Sequence, residues 1–232
     1  MTVEAIPELE TLDLSAVTLR EVNQRLHDAE SGRFRIVNPN GEHAVACGLK
    51  APLEVEILGH VGYYCAGMNQ HANVRVRGNV GTGVAENIMS GAVVVEGNAS
   101  QSAGATGRGG LLVVHGDAGA RCGISMKGVD ILVRGSIGHM SAFMAQRGCL
   151  VVCGDAGDAL GDSIYETHVY VAGKVASLGA DCVEKELDEA HAEELRVLLD
   201  RSGFGDLDPA GFRRYGSARQ LYNFKVDNAG SY

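Results

Sequence analysis

Seven glycines recur at a fixed interval of 19 residues along most of this chain. They are Gly59, Gly78, Gly97, Gly116, Gly135, Gly154 and Gly173. No residue is inserted or lost across the seven units, although ordinary loops change length easily. Each unit is therefore expected to stack directly on the next, and the period predicts a repeat architecture.

The residues before each glycine alternate as in a short strand with one buried face. The second and fourth residues before every glycine are Val, Ile or Leu, as Val55 and Ile57 are before Gly59. The third residue after the glycine is mostly glycine and the seventh is always Gly or Ala, which indicates corners with positive φ or crowded backbone. The pattern predicts an all-β solenoid, a parallel β-helix with 19-residue coils. A degenerate coil is expected earlier, with Ile36 on the register of Val55.

The repeat is flanked by two segments of helical character. The predicted units are 1–31, an N-terminal segment with a capping helix; 32–181, the β-helix; and 182–232, a C-terminal helix and docking tail. Thr18 and Glu21 have the spacing of a capping box, and Gly203 is expected to end the second helix. We expect the two helices to cover the two ends of the rod, since open strand edges aggregate. The tail holds six of the twelve aromatic residues and is predicted either to dock on a partner or to pack along its own rod.

The third residue before each glycine should point outward from the rod. It is charged in the first two coils and apolar in the last five. The apolar residues are Val94, Val113, Leu132, Val151 and Tyr170. An apolar stripe of this size must be covered, either by the C-terminal helix or by another protein. The five residues are therefore a candidate partner interface.

Composition excludes several classes of function. A net charge of −9 and a pI of about 5.3 argue against binding to nucleic acid or to an anionic membrane surface. No apolar run is long enough for a transmembrane helix, and the acidic N-terminus does not have the pattern of a signal peptide. The six cysteines include no Cys-x-x-Cys pair, which predicts free thiols and a cytoplasmic location.

The glycine-rich segments and the histidines predict no active site. Residues 78–83 and 104–110 look like phosphate-binding loops, but both belong to the repeat and no helix follows them. The eight histidines form none of the spacings typical of metal ligands, and Cys149 and Cys153 are splayed along one strand. We predict no catalytic, cofactor-binding or metal-binding residue in this chain.

Two polar sets remain as weaker candidates. Asp117 and Asp155 share a register two coils apart, about 10 Å, which is a conceivable spacing for an inverting glycoside hydrolase. The residues of one corner of the rod could form a binding edge or could be solvated surface. They are Asn69, Gln70, His71, Arg108 and Lys127.

The repeated corners Gly-Asn-Val-Gly, Gly-Asp-Ala-Gly and Gly-Ser-Ile-Gly resemble the GXGXG family over about residues 36–181. That family includes the C-terminal domain of the glutamate synthase large subunit and the C subunit of formylmethanofuran dehydrogenase and its formyltransferase relatives. The segments Leu19–His27 and Asn38–His43 look most like the stand-alone glutamate-synthase-domain subunits, of which N-methylglutamate synthase is the best known. Ser100 and Ala176 depart from the second glycine position of the motif.

The resemblance implies a right-handed β-helix and a structural role. In such a complex this chain would brace a glutamine-amidotransferase-like subunit and an FMN-binding synthase subunit, and could wall a passage for ammonia or methylamine. FMN, with an iron–sulfur cluster as a further candidate, would then lie on a partner and no cofactor on this chain. The alternatives are the C subunit of a formylmethanofuran dehydrogenase or formyltransferase complex, and a free-standing β-helix that binds or cleaves a ligand such as a glycan.

Overall fold

A computed structural model describes residues 8–221 of the chain. The first strands are β1 (Leu9–Asp13), β2 (Gly32–Val37), β3 (Leu53–Leu58), β4 (Asn73–Val76), β5 (Ala92–Val95) and β6 (Leu111–Val114). The later strands are β7 (Asp130–Val133), β8 (Cys149–Val152), β9 (His168–Val171), β10 (Cys182–Lys185) and β11 (Arg213–Ser217). The helices are α1 (Leu19–His27) and α2 (Glu189–Ser202), and a 3-10 turn spans Pro209–Gly211.

The strands form one sheet in which sequence neighbours are also spatial neighbours. From β1 to β9 every pair is parallel, and Val55, Val74 and Val93 lie on one register. A second row of parallel bridges joins Val61 to Val80 and continues to Val175, along another side of the rod. The predicted parallel β-solenoid with 19-residue coils is confirmed. The right-handed sense of its winding stays a prediction.

The glycine rows have two separate physical causes. A Cβ on Gly78 would lie 2.5 Å from the carbonyl oxygen of Gly59, and the later glycines of the period meet the preceding coil in the same way. The row seven residues further on is different, because Ala66 and Ala85 adopt φ of 52° and 54°. Crowded backbone therefore explains the glycines of the 19-residue period, and positive φ explains the Gly or Ala residues seven positions after them, as the sequence pattern indicated.

The coil before Gly59 exists, but its predicted register is wrong by two residues. Ile36 pairs with Ile57, and Phe34 pairs with Val55, so this coil is 21 residues long. A shift of two residues keeps the same side chains on the same face of a strand. Phe34 and Ile36 are therefore still buried in the core, as the sequence pattern requires.

Helix α1 covers the interior at the N-terminal end of the rod. The predicted capping box is confirmed, because Thr18 and Glu21 each accept a hydrogen bond from the other's backbone N–H. Val22 and Leu26 are buried in the main core. Asn23 donates to the carbonyl of Ala44 over 2.9 Å, which fixes the helix on the turn of the following coil.

We expected helix α2 to cover the other end of the rod, but it lies on the outer face of the sheet. Its buried residues Leu195, Leu198 and Leu199 pack against the outer face of the sheet, and Gly203 ends it with a φ of 81°. The far end of the sheet is instead completed by β11, which pairs antiparallel to β9, and by β10, which pairs antiparallel to β11. An antiparallel pair takes up the free edge of β9, so no helix is needed there.

We expect Gly78→Ala to lower the free energy of unfolding by about 3 kcal/mol or more, because the added Cβ must displace the backbone of Gly59. Gly211→Ala is the matched control, since a Cβ there meets no atom within 4 Å and should change stability by less than about 0.5 kcal/mol. Urea denaturation followed by circular dichroism measures both variants. Equal stability of the two variants would contradict the close-approach explanation.

Candidate functional site

The outer face of the sheet is divided into two halves. Over β6–β9, which we call the covered half, α2 and the segment after it lie on the strands. Over β1–β5, which we call the open half, charged side chains line a groove. The division follows the sequence, because the outward residues are charged in the early coils and apolar in the later ones.

The covered half contains most of the predicted partner interface. Val113, Leu132, Val151 and Tyr170 are buried by the chain's own residues. The chain itself supplies the cover that an apolar stripe needs, which is the first of the two alternatives that the sequence left open, and a contact with a partner stays a prediction. Val94 differs, because it is only half-buried and lies at the border between the two halves.

The aromatic residues after α2 pack on the chain's own rod. Phe204, Phe212 and Tyr215 are buried. Phe204 meets His115 edge-on at 5.3 Å between ring centroids, and the guanidinium of Arg134 lies 5.3 Å from the Phe204 ring. Of the two alternatives for the tail, this segment follows the one in which it packs along its own rod. Tyr222, Phe224 and Tyr232, the rest of the predicted tail, lie outside the described residues.

The open half presents a lattice of alternating charges across neighbouring strands. Arg35 and Arg77 both donate to Glu56, over 2.8 and 3.0 Å. Arg75 and Arg77 likewise contact Glu96. The hydrogen bonds from Arg35 and Arg77 hold the pKa of Glu56 below its usual value. The lattice is half-exposed, so each ion pair contributes little to the stability of the chain.

A groove of about 480 Å³ runs over this lattice. Arg33, Arg75 and Asn73 line its polar side, and Ala92 and Val94 form its apolar border with the covered half. A groove with an apolar border and a charged floor resembles the mixed composition of protein interfaces. The open half is therefore the candidate functional surface of the described residues.

The two aspartates considered as a hydrolase pair belong to a structural ladder. In successive coils the side chain that follows the glycine accepts a hydrogen bond from the backbone N–H one coil later. Asp117 accepts from Ser136 over 2.7 Å, and Asp155 accepts from Lys174 over 2.7 Å. Asn98 does the same for Asp117 over 2.8 Å. A carboxylate is not required in this row, because an amide oxygen or a hydroxyl serves equally.

The predicted binding edge does not form a site around Asn69. Its side-chain amide donates to the carbonyl of Ala72 over 2.7 Å and its oxygen accepts from the Ala72 N–H over 3.2 Å. Asn69 is fully buried by these contacts and shapes the corner. Its role is therefore to hold the backbone of the turn.

A cluster that the sequence analysis missed lies beneath α2. Cys149 and His168 are register partners on β8 and β9, and Glu194 reaches them from α2. One oxygen of Glu194 lies 2.7 Å from Nδ1 of His168 and accepts a hydrogen bond from the Tyr170 hydroxyl. Burial raises the pKa of the Cys149 thiol and of the Tyr170 hydroxyl, so both groups are protonated at neutral pH.

The sequence does contain a signal for two members of this cluster, in the row of residues five positions before the glycines of the 19-residue period. In the last coils this row reads Asp130, Cys149 and His168, and all three point to the outer face. The third member of the cluster, Glu194, lies on α2, 26 residues beyond His168. The repeat could have shown the row, but nothing in its period places the helix above it. The predicted free thiols are confirmed, since all six cysteines are unpaired.

The comparisons with known proteins give one relative. Protein GlxC of Rhizobium meliloti (strain 1021) is 58% identical over 225 residues, which cover 95% of this chain and 99% of the relative. This chain belongs to the GlxC family. No model of a known protein family matches the chain, and no solved structure matches it.

The match to GlxC extends over the solenoid and both flanking segments, because it covers nearly all of both chains. The GlxC-family fold is therefore the whole assembly of rod, α1 and α2 and not the repeat alone. Among residues 8–221, no helix has the length and apolar character needed to cross a membrane.

We expect Leu132→Ala to destabilise the isolated GlxC-family chain by about 2–4 kcal/mol, because Leu132 is fully buried under α2. Val197→Ala, on the exposed side of α2, should change stability by less than about 0.5 kcal/mol. Thermal and urea unfolding of the purified chain without any partner measure the difference. If Leu132→Ala has no effect until a partner is added, the covered half is an interface after all.

Asp117→Asn should retain full stability, whereas Asp117→Ala should lose about 1 kcal/mol by removing the acceptor for the Ser136 N–H. The comparison is made by urea denaturation at neutral pH. Equal losses in the two variants would show that the carboxylate itself is needed and would reopen the hydrolase interpretation.

Proposed function

We propose that this chain is a non-catalytic structural subunit of a glutamate synthase-type complex, most like N-methylglutamate synthase. Its open half would bind a partner chain and hold an amidotransferase-like subunit and an FMN-binding synthase subunit in register. The FMN, and an iron–sulfur cluster if the complex has one, would lie on the synthase subunit. The observation that carries this proposal is the open half itself, a grooved and charged face that residues 8–221 leave uncovered.

The charge lattice supports a polar protein interface. Exposed ion pairs contribute little to the free energy of folding. Stability alone therefore does not explain why five charged side chains are linked by ion pairs on this face. Alternating Arg and Glu side chains present donors and acceptors to a partner, and complementary charges fix the register of two surfaces. Ala92 and Val94 at the border add the apolar contact that the core of an interface needs.

The packing of the rod limits where a passage for ammonia or methylamine could lie. The interior is filled by buried apolar side chains from every coil, such as Ile57, Leu112 and Leu150. Protein interiors of this kind leave few voids larger than a water molecule. A passage would therefore lie between the open half and a partner, with this chain as one wall.

The non-catalytic role is supported by the use of the polar residues of the repeat. Asp117 and Asp155 are hydrogen-bonded to the next coil, and Asn69 is bonded to its own corner. A Cβ on Gly78 or on a later glycine of the period would meet the backbone of the preceding coil, so close packing of the coils explains these glycines. The chemistry is accordingly assigned to the partner subunits.

The test is a native pull-down of the tagged chain from its host, with mass spectrometry and an absorption spectrum of the eluate. We expect an amidotransferase-like chain and a yellow FMN-bearing chain to co-elute. Ala92→Arg places a long charged side chain in the groove without removing an ion pair, and should weaken the affinity at least about tenfold, or about 1.4 kcal/mol. Ala210→Arg, on the exposed 3-10 turn, is the matched control and should leave the complex intact.

Three results would contradict the proposal. A colourless chain that elutes alone would remove the scaffold role, and a molybdenum- or zinc-bearing partner would assign the chain to a one-carbon complex instead. Equal loss of partner in Ala92→Arg and Ala210→Arg would show that the open half is not the interface.

A further inference from the structure

We propose that Cys149, His168 and Glu194 bind a zinc ion, or another borderline divalent cation, between the covered half and α2. The proposal rests on the positions of these residues and is independent of the partner complex. Each residue offers one ligand atom, and the three atoms lie within 4.8 Å of one another.

The sheet and the helix bring the three side chains together and hold them in place. Cys149 and His168 occupy equal register on adjacent parallel strands, so their side chains leave the same face about 4.8 Å apart. Glu194 lies one helical turn before the buried Leu198, on the side of α2 that faces the sheet. Two strands and one packed helix hold the groups more rigidly than loops would.

The distances are close to those of a coordinated ion. In a tetrahedral zinc site with bonds of 2.0–2.3 Å, ligand atoms lie about 3.5 Å apart. The Glu194 oxygen and Nδ1 of His168 are 2.7 Å apart and would separate by less than about 1 Å, and the other separations, none above 4.8 Å, would shorten by at most about 1.3 Å. Side-chain rotation is sufficient, so the backbone of β8, β9 and α2 need not move.

The ligand types select the metal. A thiolate, an imidazole and a carboxylate together are typical of zinc, whereas calcium and magnesium prefer oxygen ligands alone. On binding, the Cys149 thiol releases its proton to solvent and forms the sulfur–metal bond. The Nδ1 proton of His168 moves by way of solvent to Nε2, and the Glu194 carboxylate and Nδ1 then exchange their mutual hydrogen bond for bonds to the ion.

Further groups orient the three ligands. The Tyr170 hydroxyl donates to Glu194, and the His191 ring lies edge-on against His168 at 5.0 Å. Asp130 accepts from the Cys149 backbone N–H over 3.3 Å. Contacts of this kind fix the orientation of metal ligands and are common around zinc.

A pocket of about 400 Å³ gives access to the cluster from solvent. Cys149, Glu194, Asp130 and Glu193 border it, and Arg201 is the one cation among the residues of the range 8–221 that line it. The excess of acidic groups favours a cation, and the opening leaves the fourth coordination position to water or to a small ligand. Three protein ligands with one open position are the arrangement of zinc sites that bind a further molecule.

The experiment is a titration of the chelator-stripped full chain with Zn²⁺, followed by calorimetry, and with Co²⁺, followed by absorption. We expect one ion per chain and a thiolate-to-cobalt charge-transfer band in the near ultraviolet. Cys149→Ser should remove the band, and Cys149→Ser and His168→Asn should each weaken zinc binding about 100-fold or more. Cys153→Ser is the matched control, because this half-buried thiol is on the same face near Arg134 and outside the cluster.

Glu194→Gln tests the zinc-binding proposal if the other variants do not fold. Glu194 is partly exposed on α2, so its isosteric amide should keep the fold and still weaken zinc binding. Absence of zinc binding by the wild-type chain would overturn the proposal. Binding that survives in Glu194→Gln and Cys149→Ser, or that is lost equally in Cys153→Ser, would overturn it as well, since the ion would then be held elsewhere.

Discussion

The close approach of each glycine to the glycine one coil earlier is the contact on which the rest of the solenoid depends. With 2.5 Å between a Cβ at Gly78 and the carbonyl oxygen of Gly59, only glycine allows the coils to stack at strand spacing. The same stacking brings each side chain after the glycine within reach of the next backbone N–H, as between Asn98 and Asp117. Sterics and hydrogen bonding therefore enforce the same period.

Much of the fold can be predicted from this one constraint. A collision between backbones has a strict period, so the sequence shows the rod, the inward rows and the corners with positive φ. The capping box at Thr18 and the helix end at Gly203 are also local and were predictable. The register of Ile36 was not, because the coil of 21 residues lies before the strict repeat begins.

The remaining differences come from contacts between distant segments. The position of α2 depends on the apolar stripe at Leu132 and Val151, and both the end of the rod and its outer face could have received this helix. The short strands β10 and β11 have no alternating apolar pattern, so their antiparallel pairing could not be predicted. The Cys149 cluster was missed for the same reason, since one of its members belongs to that helix.

The antiparallel pair at the end of the sheet has a geometrical consequence for the whole molecule. It terminates the stack, so the number of coils fixes the length of the rod, and six steps from β3 to β9 span about 29 Å. Length can change only by whole coils, because a partial coil would break both the glycine contacts and the polar ladder. The length of the rod is thus set in steps of about 4.8 Å, and the boundary between the open and covered halves falls between two coils, at the pairing of β5 with β6.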